Sequence, residues 1–181
     1  RGSGNTLCRH AKMITIELHK RYFITEKKLI EELDSRFDQV ANDEANWTTT
    51  YVDNETGDKW LYYRVDTEYH GGGNPVMGRL PLPDTNKLID IVLQTVNEGE
   101  VFAACRTLVN NEQLRKIDFR SDLINRLEDL KNKDRQKMII DLTGLDSSMN
   151  RRGIIGKSSY HVDKDAQHFQ KIADRAIKLK E

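Results

Sequence analysis

NWTTTYVDNETGDKWLYYRVDTEY, residues 46–69, is the stretch that decides the fold. Threonine and aromatic side chains dominate both of its halves, the composition of a half-buried pleated surface. Between the halves, DNETGD supplies turn chemistry, with Gly57 free to take a positive φ. The stretch reads as a β-hairpin. Trp47, Thr49 and Tyr51 share one face of the first strand, and Trp60 and Tyr62 share one face of the return strand. An isolated hairpin is marginal in water, so it needs a further strand or a helix. PVMGRLPL (75–82) offers a third, shorter strand, with Pro75, Pro81 and Pro83 marking edges or loops.

Upstream, Ile14, Ile16 and Leu18 alternate as in a short strand, although the segment could also begin a helix. After Thr25, an N-cap candidate, Leu29, Leu33, Phe37 and Val40 recur at helical spacing and predict a helix that ends near ANDEAN (41–46). Its acids Glu31, Glu32 and Asp38 read as a solvated face. Residues 1–12, RGSGNTLCRHAK, read as a leader or a tag remnant and stand outside the fold argument.

Downstream the periodicity changes. Asp84 caps a helix with Leu88, Ile91, Val92 and Val96 on one stripe. A second helix carries Val101, Ala104, Cys105 and Leu108, and a third carries Phe119, Leu123, Ile124, Leu127 and Leu130. Short connectors predict antiparallel packing. The first two helices look like a helical hairpin of the HEAT or armadillo type, without a second copy at a fixed period. MIIDL (138–142) suits a strand or a helix end. Phe169, Ile172, Ala176 and Leu179 predict a last helix, capped by Asp163 or Asp165, that docks on the body or reaches a partner. The fold class is therefore α+β: an N-terminal helix with a small antiparallel sheet, then an antiparallel, HEAT-like helical bundle and a C-terminal helix. The expected organisation is an α+β domain over 13–131 and a basic segment over 132–181.

Composition narrows the function. Lys plus Arg and Asp plus Glu are both 29, so the net charge is zero and no bulk attraction to nucleic acid is expected. The distribution is uneven: residues 26–68 hold 12 acidic and 5 basic side chains, whereas 131–181 hold 12 basic and 7 acidic. No apolar run approaches the roughly 20 residues of a membrane span, so the expectation is a cytoplasmic protein without a membrane partner. Cys105 lies in an apolar helical context and reads as a small hydrophobe; Cys8 lies in the leader, and nothing in the spacing suggests a disulfide framework.

Several motifs invite a chemical reading. His70-Gly71-Gly72-Gly73 has the form of an esterase oxyanion loop, but no G-x-S-x-G nucleophile elbow occurs in the chain. The glycines read instead as a connector where the chain passes close to other backbone, with Tyr69 and His70 at its lip. GIIGKSS (153–159) resembles the end of a phosphate-binding loop, yet the position that requires the first glycine is Arg151. Arg151, Arg152 and Lys157 are then a solvated basic loop, or contacts for phosphate or an acidic surface. His161, Asp163, Asp165 and His168 are metal-ligand types without metal-ligand spacing, and no metal or cofactor is expected. Asp66 and Glu68, two apart, would share a strand face as an acid–base pair or as an exposed acidic ridge.

LYYRVDTEYHGGGNPVMGRLPLP (61–83), with LIDIVL (88–93) and EVFAACRTLVNNE (100–112), resembles the small cytoplasmic immunity proteins of bacterial polymorphic-toxin systems, over about residues 45–130. The resemblance implies one-to-one binding to a toxin domain. The local acidity suits a basic toxin. The expected function is thus a non-enzymatic protein-binding module, with Trp60, Tyr62, Asp66, Glu68, Tyr69 and His70 as partner-binding residues and Gly71, Gly72 and Gly73 shaping the loop. The alternative is a small enzyme, a hydrolase or phosphate-handling protein, whose active site does not assemble from the sequence.

Overall fold

The computed structural model describes residues 18, 20–33, 35–67, 72–152 and 155–181. The protein is α+β, and the chain divides into two compact units, 1–82 and 83–181. The expected boundary at 131/132 falls inside the second unit, where the basic segment packs with the helices before it.

The first unit is a five-stranded antiparallel sheet. Its elements are β1 (Phe23–Ile24), α1 (Lys27–Glu32), β2 (Phe37–Asp43), β3 (Thr48–Asp53), β4 (Lys59–Val65) and β5 (Asn74–Arg79), in the sheet order β1-β5-β4-β3-β2. The hairpin read from the sequence is β3–β4, with Gly57 at φ 76° in its turn. Thr49 lies opposite Tyr62 and Tyr51 opposite Trp60, while Tyr62 also faces Met77 of β5. That face is closed by Leu29, Ile30 and Leu33 from and beside α1, making a core with Leu18, Ile24, Phe37, Trp60 and Met77. Phe23, Tyr63, Val65 and Val76 are buried on the other face.

The helix expected over 25–46 stops at Glu32, and its second half is β2. Leu29, Leu33 and Phe37 do line one core wall, as the spacing required. Phe37, however, reaches it from a strand, its ring 6.2 Å from that of Trp60. Pairing with β3 holds Asp38, Asn42 and Asp43 in the strand, residues that strand propensity alone disfavours. Val40, expected in the core, sits at a register shift between Gln39 and Ala41 and is 55% exposed. Glu26, not Thr25, occupies the cap of α1, without a side-chain capping bond. Ile14 and Ile16 lie outside the described residues.

A buried clamp fixes the start of β2 to the end of β3. Arg36 Nε donates to Asp53 Oδ1 at 2.7 Å, and its Nη2 donates to the second oxygen. Asp53 also accepts from the Glu55 amide at 3.0 Å and from the Thr56 hydroxyl at 2.9 Å. Burial by itself would raise the Asp53 carboxyl, but these donors prevail and hold it below its ordinary value. Its stabilisation is therefore complete above the unfolded-state value of about 3.9 and is lost as pH falls through the lower folded-state value. Denaturant titrations at pH 6 and pH 3 should show the sheet unit weakening in acid. Asp53→Asn should cost about 2 kcal/mol at pH 6 and flatten that acid dependence; an unchanged dependence would remove the clamp from the account.

The second unit is helical: α2 (Thr85–Gln94), α3 (Glu98–Arg115), α4 (Arg120–Glu128), α5 (Lys133–Thr143) and α6 (Ser159–Lys180). Asp84 caps α2 as expected, accepting from the Lys87 amide at 2.8 Å. Leu88, Ile91 and Val92 are buried, but Val96 lies beyond the helix and is 96% exposed. Cys105 is buried and free, its thiol pushed well above the ordinary range by burial. MIIDL belongs to α5. Arg135 of α5 donates to the carbonyls of Val92 and Thr95 at 2.6–3.0 Å, and Gln136 donates to those of Leu127 and Leu130 at 2.7 Å. Both side chains cap carbonyls at or just beyond helix ends, where intrahelical bonding runs out. The last helix docks: Phe169, Ile172, Ala173 and Ala176 are buried. Neither Asp163 nor Asp165 caps it, since α6 already begins at Ser159. No helix among the described residues is long and apolar enough to cross a membrane.

Candidate functional site

The expected partner surface separates into parts. Trp60 is 1% exposed and belongs to the core, so no partner reaches it without unfolding the sheet. Alternation along the strand placed it correctly beside Tyr62 and Tyr51, but alternation does not tell which face a helix covers. Tyr62 is half-buried. With Ile30, Glu31, Phe37, Tyr51 and Met77 it lines a cavity of about 350 Å³ between α1 and the sheet. Asp66 stands just past β4 with φ 57°, so the strand's alternation ends there. Asn74 donates to it at 3.4 Å. Glu68, Tyr69, His70 and Gly71 lie outside the described residues.

The glycines at the end of this connector have the architectural role. Gly73 has φ 78°, and a Cβ there would lie 2.4 Å from the Val65 carbonyl oxygen and 3.3 Å from Thr67 Cα. Only a residue without a side chain lets the chain return this closely past the strand it has just left. Arg64 Nη1 donates to the carbonyls of Gly72 and Gly73 at 3.2 and 3.3 Å, pinning the re-entry to β5.

Sequence reasoning missed the most exposed aromatic residue among the described residues of the sheet unit. Trp47, assigned to a strand face, instead precedes β3 in the β2–β3 turn, with φ 54° and 86% exposure. Asp43 shapes that turn by accepting from the backbone and side-chain amides of Asn46 at 3.1 and 2.7 Å. Those bonds hold the Asp43 carboxyl below its ordinary value. Beside the turn runs β2, an edge strand exposed at every position from Asp38 to Asp43. The density of turn residues in ANDEAN was the available signal, read as a helix end rather than a hairpin tip.

A second arrangement lies in the helical unit. Arg152 bridges Asp165 at 2.7 Å and Asp118 at 2.6 Å, and Lys157 reaches Asp165 at 2.6 Å. His168 Nε2 stands 3.4 Å from Asp118. Hydrogen bonds from Lys157 and then Arg152 hold the Asp165 carboxyl down to about 2. Asp165 is thus committed to cations, while His161 bonds Ser158 through Nδ1 at 2.8 Å. Among the described residues no three His, Cys, Asp or Glu side chains converge to hold a metal ion. Below this network Arg120 forms a two-point ion pair with Glu112, at 2.7 and 2.9 Å, and donates to the Gly144 carbonyl at 3.1 Å.

Comparison of the chain with protein-family models, with curated proteins and with solved structures found no match.

Proposed function

We propose that the protein is a non-enzymatic protein-binding module, an immunity protein that neutralises a basic toxin domain in the cytoplasm by direct one-to-one contact. The observation that carries this reading is Trp47, 86% exposed at the turn of a hairpin whose outer strand is solvent-exposed from Asp38 to Asp43. Acids along an exposed edge are an ordinary guard against self-pairing. They do not account for an indole left in water, since tryptophan is usually well buried and is the residue type most enriched at binding hot spots. Asp43 and Glu44 beside it in the turn, and Asp38 farther along the same edge strand, favour a basic partner and accelerate its approach. The proposed contact surface accordingly centres on Trp47 and not on Trp60, and its acids are Asp38, Asp43 and Glu44 and not Asp66 and Glu68.

Affinity capture from the source cells, comparing wild type with Trp47→Ala and with Asp38→Lys/Glu44→Lys, tests the reading. The expected result is one stoichiometric basic partner, held at least about tenfold more weakly by Trp47→Ala. Its association with the charge-reversed variant should be slower, and most clearly so at low salt. A partner held equally by all three proteins would move the interface off the hairpin. Turnover in a substrate screen with no captured partner would replace the reading with an enzymatic one.

A further inference from the structure

The helical unit holds a concavity of about 290 Å³ lined by Glu112, Lys116, Asp118, Arg151, Arg152 and Lys157. Its charges do not balance. The carboxylates of Glu112, Asp118 and Asp165 face the cations Lys116, Arg120, Arg151, Arg152 and Lys157, which leaves two positive charges in excess. Each carboxylate is already engaged: Glu112 by Arg120, Asp118 by Arg152, and Asp165 by Arg152 and Lys157. Arg106 adds to the crowding. Burial first, and then the charge of Arg151, push its guanidinium below its ordinary value.

Arg151 is one of the cations that line the concavity. Its Nε–H is out of contact with water and has no hydrogen-bond partner among the described residues. A buried donor left unpaired costs about 1–3 kcal/mol, and such a group in a native structure calls for an explanation. The guanidinium also lines the concavity with Lys116, Arg152 and Lys157, so an anion entering there meets more cations than carboxylates.

We propose that this concavity binds a small phosphate-bearing ligand, held by Arg151 and Lys116 with Arg152 and Lys157 at its rim. Phosphate matches the excess, since a phosphomonoester carries about −1.5 to −2 charge at neutral pH. A guanidinium fork offers it two parallel donors. A volume of about 290 Å³ suits a phosphoryl group with a few attached atoms and lies at the small end of ligand cavities, about 300–1,000 Å³. This is not a phosphate loop of the strand–glycine–helix kind. Arg151 stands where that motif needs its first glycine, and the chain enters from α5 rather than from a strand. Recognition here comes from side chains on separate segments, Lys116 at the end of α3 and the arginines before α6.

The test is calorimetric titration of the full chain with pyrophosphate, against chloride at matched ionic strength, followed by Arg151→Gln and Lys157→Gln. Saturable one-to-one binding is expected, weakened at least tenfold in Arg151→Gln and several-fold in Lys157→Gln. Lys157 is solvent-exposed, so that variant keeps the test valid if Arg151→Gln does not fold. Pyrophosphate acting no differently from chloride, or binding equally well to both variants, overturns the proposal. So does tight binding of a 12-nucleotide single strand without pyrophosphate binding, which would assign the face to a nucleic-acid backbone. The readout involves no protein partner, so its failure leaves the hairpin reading standing.

Discussion

Glu112→Ala is expected to lower the stability of the helical unit by about 3–5 kcal/mol, the usual result of stripping one partner from a buried ion pair. The Arg120 side chain is 1% exposed and that of Glu112 is 7% exposed. The guanidinium lies against two rings, 5.5 Å from the centroid of Phe119 and 5.2 Å from that of Phe169. Without Glu112 the Gly144 carbonyl would be its remaining polar contact among those described, too little for a charge at that depth. A domain of this size holds about 5–15 kcal/mol in total, so the variant should sit near its unfolding midpoint at modest urea. The paired replacement Glu112→Leu/Arg120→Met should be close to neutral, because it removes both charges and keeps most of the volume. Helical circular dichroism followed through urea denaturation measures both variants. A loss under about 1 kcal/mol for Glu112→Ala would mean that the pair is solvated in solution.

Trp60→Ala should cost the sheet unit about 3–5 kcal/mol through lost burial and the cavity left behind. Trp47→Ala should stay within about 0.5 kcal/mol of wild type, as exposed substitutions do. The two indoles are the only tryptophans in the sequence, and both belong to the sheet unit. Their fluorescence therefore follows that unit while circular dichroism follows mainly the helices. The contrast separates core from contact surface: Trp60 should govern stability and Trp47 should govern binding. Equal stability effects would sink the division of roles drawn between them.

What the sequence disclosed depended on how local each determinant was. β3 and β4 were readable because threonine and aromatic density and a Gly57 turn sit within one short stretch. α2, α3, α4 and the body of α6 were readable from regular apolar stripes, with the Asp84 cap marking the first, whereas α5 was not: MIIDL suited a strand as well as a helix end. β2 was hidden, because Leu29, Leu33 and Phe37 fall at helical spacing by coincidence of a shared core wall, and its exposed residues are poor strand formers stabilised only by pairing. β1 is two residues long, below any periodicity. Trp60 was read as exposed for a related reason: alternation put it beside Tyr62, but the helix that covers that face, Lys27–Glu32, is distant in sequence. Arg151, Arg152 and Lys157 were visible as a basic loop. That Lys116 joins them depends on where α3 ends, which no local pattern states.

The docking of α6 also bears on the order in which the chain is made. The sheet unit is contiguous and early, so it can finish folding while the rest is still being synthesised, as N-terminal domains generally do. The helical unit has to wait for its last helix. Phe169, Ile172, Ala173 and Ala176 complete its interior, and they are among the last of its residues to be made. At about 5–20 residues per second, α2 to α5 wait several seconds on the ribosome with an open apolar side. During that interval this unit exposes the apolar surface that α6 later covers.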